Sequence, residues 1–149
     1  MSLEHGASSG EGGSLECTFS NQLEELFRVI QRVLVFLDRN GITGRAAYVV
    51  NLAVEEMATN ILKYGYDDDA SHVIGLRLKL QPAAIAVSLE DDGHEFDPRT
   101  APDPDLTGGP GDRQPGGLGI SLVRRLAQRM DYERRNGKNH LTILVKKDA

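Results

Sequence analysis

Glu56 and Asn60 form a polar pair whose spacing suits a reaction centre. Four residues span about one helical turn, so both side chains project from the same side of a helix. Val49 and Leu52 place this side on the apolar stripe, where an unpaired polar group is costly. The Asn60 amide oxygen suits Mg²⁺, and a neighbouring Glu56 carboxylate could act as a general base. Alternatively, Glu56 lies at the edge of the stripe and Asn60 caps a neighbouring backbone.

Lys63 and Tyr64 follow in the last turn of the same predicted helix. The ammonium group of Lys63 could bind a phosphate as a point charge. It could equally be a favourable positive charge at the helix C-terminus. Both interpretations stay open from the sequence.

A second candidate site lies at Asp91-Asp92-Gly93, directly after a predicted strand. A carboxylate at the end of a strand can face a cleft, and the glycine lets the backbone bend closely around a ligand. Because an ionised carboxylate only accepts hydrogen bonds, Asp91 suits the amino group of adenine. The structural alternative is an Asx turn, which this tripeptide forms readily.

Gly117-Leu118-Gly119 opens the third predicted helix. Glycines at a helix N-terminus let backbone N–H groups approach an anion, and the helix dipole favours negative charge there. The segment follows a long loop, unlike a Rossmann fingerprint, and the sequence has no Gly-Lys-Ser/Thr of a P-loop. The alternative is a flexible hinge.

Three amphipathic helices and five strands must position these residues. From the apolar spacing, helices are expected between Asn21, as N-cap, and Asn40, at 43–64 and at 118–130. From alternation and turn residues, strands are expected at 15–20, 72–81, 83–90, 132–135 and 140–145. The order predicts an α+β fold, a two-layer α/β sandwich in which the three helices cover one face of a mainly antiparallel, mixed sheet.

Composition indicates one ordinary domain and excludes several function classes. The chain has 149 residues, of which 40% are apolar and 26% charged, and these values support a packed core. A net charge of −5 and 5% aromatic residues argue against direct nucleic-acid binding. The single Cys17 excludes an intramolecular disulfide and a multi-cysteine zinc site. The lack of a signal peptide and of a long apolar run predicts a cytoplasmic protein without a membrane partner.

Two segments of the sequence are irregular. Residues 1–14 have a Gly/Ser pattern and are expected to be a flexible leader before a domain at 15–149. Residues 91–117 are rich in Asp, Gly and Pro, and a loop this long in a small domain is usually functional or disordered. Residues 116–149 carry 8 Lys/Arg against 3 Asp/Glu, so this end of the chain suits an anionic ligand or acidic partner, or forms a solvated surface.

The order and spacing of the motifs resemble those of the histidine-kinase-like ATPases, the GHKL or Bergerat-fold superfamily. Residues 56–60 resemble its N box, and residues 91–93 and 117–119 resemble two of its glycine boxes, separated by a Pro/Gly-rich lid. Phe96-Asp97-Pro98 and Asn139-His140-Leu141-Thr142 strengthen the resemblance. The small size is similar to that of the bacterial anti-sigma-factor serine/threonine kinases.

The resemblance covers about residues 15–147 and implies the binding of ATP and Mg²⁺. It implies that Asn60 holds the magnesium ion, that Glu56 activates a serine or threonine hydroxyl, and that Asp91 accepts from the adenine amino group. The other nucleotide-binding residues are expected to be Lys63, Gly93, Gly117, Leu118, Gly119 and Thr142. The ATP lid is expected at about 97–116.

Three functions follow as hypotheses. The first is a Mg-ATP-dependent kinase that phosphorylates a small antagonist protein and also sequesters a sigma factor. The second is a module that binds ATP and captures a regulatory partner without phosphoryl transfer. The third is an interaction scaffold that binds no nucleotide.

Two expectations concern residues outside the motifs. Val29, Val35 and Phe36 are in excess of one apolar stripe on the first helix, and they form either a homodimer face or part of a wide buried face. Glu95 stands where many members of the superfamily have a second glycine. We expect its side chain to point outward, because a carboxylate that points inward opposes phosphate binding.

Overall fold

A computed structural model of the chain describes residues 8–10, 13–103 and 117–147. Within these residues the protein has three helices and six strands. The helices are α1 (Leu23–Arg39), α2 (Gly44–Tyr64) and α3 (Gly117–Leu126). The strands are β1 (Ser8–Gly10), β2 (Ser14–Ser20), β3 (Val73–Leu80), β4 (Ala84–Asp91), β5 (Arg129–Arg135) and β6 (Lys138–Lys146). No helix in these ranges is long and apolar enough to cross a bilayer.

The strands form one sheet in the order β1-β2-β3-β4-β6-β5. Every neighbouring pair among the six described strands is antiparallel, whereas the expected mixed sheet would include a parallel pair. A tight turn at Asn136-Gly137 joins β5 to β6, and both residues have positive φ (54° and 73°), as two-residue hairpins require. β4 and β6 are neighbours although residues 92–137 separate them in sequence, and their pairing places Asp91 opposite Asn139.

One face of the sheet packs against the helices. Ile74, Leu76 and Leu78 of β3 are buried in this layer, as their alternation predicts. Arg77 between them lies on the open face, where its Nε lies 2.8 Å from Glu16 Oε1. The predicted two-layer α+β sandwich is therefore confirmed.

The core distinguishes between the two alternatives for Val29, Val35 and Phe36 of α1, and it supports a wide buried face for two of them. Val29 and Phe36 are each only 4% exposed and belong to the core, because the buried stripe of the helix is wide. Val35 alone of the three is exposed, so these residues do not form a common outer face.

Two predicted boundaries change, at the end of α3 and at the start of the sheet, and a third is only partly described. α3 ends at Leu126, not near 130, because Met130 pairs with Ile143 in the sheet and Gln128 N donates to Leu144 O at 2.8 Å. Of the expected leader, residues 8–10 form β1 against the start of β2, while residues 1–7 and 11–12 lie outside the described residues. The expected lid is described only at 97–103, since 104–116 lie outside as well.

The start of α1 differs from the predicted cap. Gln22 occupies the N-cap position and makes no side-chain capping bond. Asn21 instead joins the helix start to β3, because its Oδ1 accepts from His72 N at 2.9 Å and its own N–H donates to His72 O at 3.0 Å.

Candidate functional site

A cavity of about 370 Å³ lies where α2 and the start of α3 meet the ends of β4 and β6. This volume falls in the range of small-molecule sites. Asn60, Asp91 and Asn139 supply polar groups to its lining, among apolar residues such as Met57 and Ile120. The segment from His94 to Asp103 contributes the outer wall. The cavity therefore combines an apolar surface with a few polar groups, as ligand sites usually do.

Asp91 is the buried acid of this cavity, with 5% of its surface exposed at the last position of β4. Its Oδ1 accepts from Gly93 N at 2.9 Å and from Asn139 Nδ2 at 3.0 Å. No hydrogen bond from the described residues reaches Oδ2, so this oxygen is available to a ligand. The sequence left an Asx turn and a cleft-facing side chain as alternatives, and the two coexist, because Oδ1 closes the turn with Gly93 N while Asp91 also lines the cavity.

The protonation of Asp91 depends on several opposing contributions. Burial raises the pKa of its carboxyl group, whereas the bonds from Asn139 and Gly93 lower it. The charge of Asp92 raises this pKa and that of Arg134 lowers it. An adenine amino group needs the ionised acceptor, so we expect affinity for adenine to fall as the pH falls through this raised pKa.

Gly93 lies in the loop after β4, where this loop packs closely against the end of α2. A Cβ at this position would lie 2.7 Å from the Gly65 carbonyl oxygen and 3.0 Å from Asp91 Oδ1. His94 N donates to the same Gly65 oxygen at 2.9 Å. The loop after β4 can therefore pack against the end of α2 only because residue 93 has no side chain.

Glu56 and Asn60 occupy the side of α2 that faces the site. Asn60 lines the cavity, and no hydrogen bond to its side chain occurs within the described residues, so the capping alternative finds no support. Glu56 lies next to the cavity lining, against the first turn of α3. A Cβ at Gly119 would overlap the Glu56 carboxyl group. A glycine at 119 is thus what lets α3 approach this carboxylate.

Burial raises the pKa of the Glu56 carboxyl group. The charge of Glu55 acts in the same direction, and the charge of Lys63 opposes both. A carboxylate with a raised pKa is a better proton acceptor near neutral pH than an exposed one. Glu56 therefore has the electrostatic setting of a general base.

The structure does not bring every predicted residue to the cavity. Lys63 is exposed and outside the lining, although its charge acts on Glu56. Leu118 is 54% exposed on the outer side of α3, and Gly117 is the first residue of that helix. Thr142 lies on the open face of the sheet, with its Oγ1 3.2 Å from Ser88 Oγ.

The position of Thr142 follows from the period of two along a strand. Asn139 and Leu141 of β6 line the cavity, so the residues between and after them must face the other way. The expectation that Thr142 approaches the adenine is corrected on this ground.

Asn139 is the principal site residue that was not predicted. Its Nδ2 donates to Asp91 Oδ1 and, at 2.8 Å, to His94 O. Its Oδ1 accepts from Tyr132 Oη, from Arg134 Nη1 at 3.1 Å and from Phe96 N at 3.3 Å. The available signal was a polar residue in phase with the buried Leu141, Ile143 and Val145.

Arg124 of α3 was also not predicted, and it anchors the described start of the lid. Its Nη1 donates to Pro98 O at 2.8 Å and to Ala101 O at 2.6 Å. Its Nη2 donates to Asp103 Oδ1 at 2.7 Å, and Ser121 Oγ donates to the same oxygen at 2.9 Å. Residues 97–103, the described part of the expected lid, are termed the lid stem, and these bonds attach it to α3, which begins at the predicted anion site.

The residues present fit a magnesium ion only as a partner of a bound phosphate. Asn60 offers one amide oxygen to the cavity. Among the described residues, no group of three or more His, Cys, Asp or Glu could hold a metal ion. Mg²⁺ is usually held by one or two protein oxygens together with substrate phosphates and water. A single asparagine is consistent with that arrangement.

Comparison with known proteins agrees with the geometry. A relative named serine/threonine-protein kinase BtrW, from Bordetella bronchiseptica, is 31% identical over 101 residues, which are 68% of this chain and 71% of that protein. The solved RsbU and RsbW domains of a Mycobacterium tuberculosis protein superimpose with a TM-score of 0.60 at 16% identity. That match covers 89% of this chain but 32% of the longer one, and it supports the fold alone.

The sequence profile of the histidine kinase-like ATPase domain matches residues 19–145. This range spans α1 to β6 and includes the side chains of the cavity. The resemblance inferred from the motifs is thus confirmed, and the chain belongs to the histidine kinase-like ATPase domain family.

Proposed function

We propose that this protein is a Mg-ATP-dependent serine/threonine kinase that phosphorylates a small antagonist protein and acts as an anti-sigma factor. The observation that carries the proposal is that Asp91 and Asn60 line one cavity, with the Glu56–Gly119 contact directly beside its lining residues Met57 and Ile120. A relative named as a serine/threonine-protein kinase supports the same activity. The sigma factor and the antagonist are proposed on the resemblance to the anti-sigma-factor kinases.

The nucleotide is held by groups from three elements in this proposal. Asp91 Oδ2 accepts from the adenine amino group, and the apolar side chains of the cavity contact the ring. The N–H groups of the first turn of α3, which have no partner within the helix, donate to the phosphates from Gly117, Leu118 and Gly119. The helix dipole favours negative charge at this end. Asn60 would hold the magnesium ion through its amide oxygen, and the ion would neutralise charge on the phosphates.

Glu56 is the proposed general base. Its carboxylate takes the proton of a substrate serine or threonine hydroxyl as that oxygen bonds to the terminal phosphorus of ATP and the bond to ADP breaks. Gly119 keeps this carboxylate next to the phosphate-binding turn, because only a hydrogen fits between α3 and Glu56. Positioning and charge account for most of the catalysis in such transfers.

Transfer of labelled phosphate tests the proposal. The purified protein is incubated with γ-labelled ATP, Mg²⁺ and an antagonist protein encoded by a neighbouring gene, with and without a chelator. We expect label on a serine or threonine of the antagonist, and none when Mg²⁺ is removed. Nucleotide binding without transfer to any such partner would instead support the module that captures a partner.

Gly119→Ala is expected to separate activity from stability. The new methyl group overlaps the Glu56 carboxyl group and must displace it, so phosphoryl transfer should fall at least about tenfold. The free energy of unfolding should stay equal or rise by up to about 1 kcal/mol, since alanine favours a helix over glycine. Transfer assays and chemical denaturation measure the two effects.

A matched glycine provides the control for this variant. A Cβ at Gly75 of β3 would meet only Glu90 Cβ, at an ordinary contact distance of 3.9 Å, so Gly75→Ala should leave transfer unchanged. Equal transfer by the Gly119→Ala variant and the native protein would contradict the contact between α3 and Glu56.

Glu95→Gln is expected to strengthen ATP binding. The side chain of Glu95 is exposed, as expected, yet it lies at the cavity mouth beside Tyr132. Burial raises the pKa of the Tyr132 hydroxyl, and the charge of Glu95 adds to this. Removing this negative charge should lower the Kd for ATP by a few-fold at low salt, with a smaller effect at high salt. Fluorescence titration with an ATP analogue at two salt concentrations measures the change, and a weaker affinity would contradict it.

A further inference from the structure

We propose that Asn139 is the positioning residue for adenine recognition in this protein, because its amide sets the arrangement of Asp91 and of the cavity wall at 94–96. The inference rests on the proposed function, since it assigns a role toward the adenine base. It concerns a residue that the motifs did not assign.

The register of the sheet places Asn139 opposite a charged residue on each of the two neighbouring strands. Asn139 pairs with Asp91 of β4 on one side and with Arg134 of β5 on the other. It is 6% exposed, and its side chain points to the helical layer like that of Leu141. Its side chain therefore lies next to the Asp91 carboxylate, which is the proposed adenine acceptor.

The hydrogen bonds of Asn139 leave one orientation for its amide. Nδ2 uses both of its protons, toward Asp91 Oδ1 and His94 O. Oδ1 faces three donors, from Tyr132, Arg134 and Phe96 N. A flipped amide would set donors against donors and an oxygen against two oxygens, so the observed orientation is strongly preferred.

This orientation determines what Asp91 presents to a ligand. Two donors hold Oδ1, so Oδ2 remains for a base in the cavity. Donation to the ionised carboxylate, together with the charge of Arg134, opposes the protonation that burial and Asp92 promote. An ionised acceptor favours the 6-amino group of adenine and disfavours a 6-oxo group, whose oxygen has no proton to donate.

The Asn139 side-chain amide also holds the cavity wall at residues 94–96 in place. His94 O and Phe96 N are both bonded to it, and Arg134 Nη1 donates to Gly93 O at 2.7 Å as well. Tyr132, whose hydroxyl donates to Asn139, carries the Arg99 guanidinium 6.0 Å from its ring centroid. Asn139 thus connects Asp91, the proposed acceptor, to Tyr132 and through it to the start of the lid stem.

The test compares Asn139→Leu with His140→Leu by calorimetric titration. Each variant is titrated with ADP and with the purine riboside diphosphate that lacks the 6-amino group. We expect Asn139→Leu to raise the Kd for ADP about tenfold or more, and to raise the Kd for the amino-free analogue by a clearly smaller factor through the wall at 94–96. His140 lies on the open face next to Glu90, so His140→Leu should leave both Kd values unchanged.

Asn139→Asp provides a second variant of the same size in case the leucine variant does not fold. At pH 8 two carboxylates face each other at the 3.0 Å position of the native bond, so ADP binding should be weaker than in the native protein. One shared proton restores a donor to Asp91, so affinity should rise as the pH falls toward 6. The native protein should show no such rise, and its affinity should fall once the pH falls through the raised pKa of Asp91.

The outcomes are distinct. Loss of selectivity in Asn139→Leu, or the reversed pH slope in Asn139→Asp, supports the inference. Equal weakening of both nucleotides, together with an unchanged pH slope, would overturn it while leaving the proposed function intact. A native protein that binds neither nucleotide would overturn the proposed function itself.

Discussion

Replacing Glu56 with glutamine is expected to lower phosphoryl transfer to the antagonist by about 10²- to 10⁴-fold, the usual contribution of a general base. Glutamine has the same size but cannot take a proton from the substrate hydroxyl. Affinity for ADP should not change, because Glu56 does not line the cavity. Label transfer under single-turnover conditions and ADP titration measure the two quantities separately.

Glu55→Gln is the matched control, since Glu55 is the exposed neighbour of Glu56 on α2. It should retain nearly full transfer. The native rate should also decline on acidification, as protons occupy Glu56 at its raised pKa, and the residual activity of Glu56→Gln should lack this limb. Unchanged transfer by Glu56→Gln would show that another group accepts the proton.

Asp91→Asn is the second substitution with a large expected effect, roughly a 10- to 100-fold increase in the Kd for ADP, about that of one hydrogen bond to a charged group. The Gly93 and Asn139 donors would hold the amide oxygen of the new side chain in place of Oδ1. Its NH₂ group would then face the cavity, where it meets the amino group of adenine as donor against donor. Calorimetric titration at constant pH measures the loss.

The control for Asp91→Asn is Asp92→Asn. Asp92 is exposed and its Oδ1 lies 3.3 Å from His72 Nδ1, away from the cavity lining. The Asp92→Asn substitution removes the same negative charge one residue away, so it should leave the Kd for ADP close to the native value. Equal effects of the two substitutions would indicate that net charge, and not a bond from Asp91, controls affinity.

Local patterns were sufficient to predict most of the fold. The alternation of Ile74, Leu76 and Leu78 gave the buried face of β3, and the spacing along α2 placed Glu56 and Asn60 on one side. Each of these patterns repeats within a few residues, so the local sequence is enough to reveal it. The end of α3 was predicted too late, because the apolar Met130 fits a helical stripe and a strand equally well.

The parts of the site that were not predicted depend on contacts between distant segments. Asn139 bonds to Asp91 across 48 residues, and Arg124 bonds to Pro98 across 26. The alternation with the buried Leu141 and Ile143 already places Thr142 on the open face of β6. That Asn139 lies opposite Asp91, however, depends on the register with β4, which the sequence of β6 alone does not determine. The motif around 139–142 was therefore recognised, but the cavity-facing residue within it was not.

Calorimetric titration of the native protein with ADP in the presence of Mg²⁺ tests most directly that α2, β4 and α3 form one nucleotide site. We expect saturable binding of one ADP per chain, together with a higher Tm in the presence of the nucleotide. Absence of both heat and a change in Tm at millimolar Mg-ADP would contradict a shared nucleotide site.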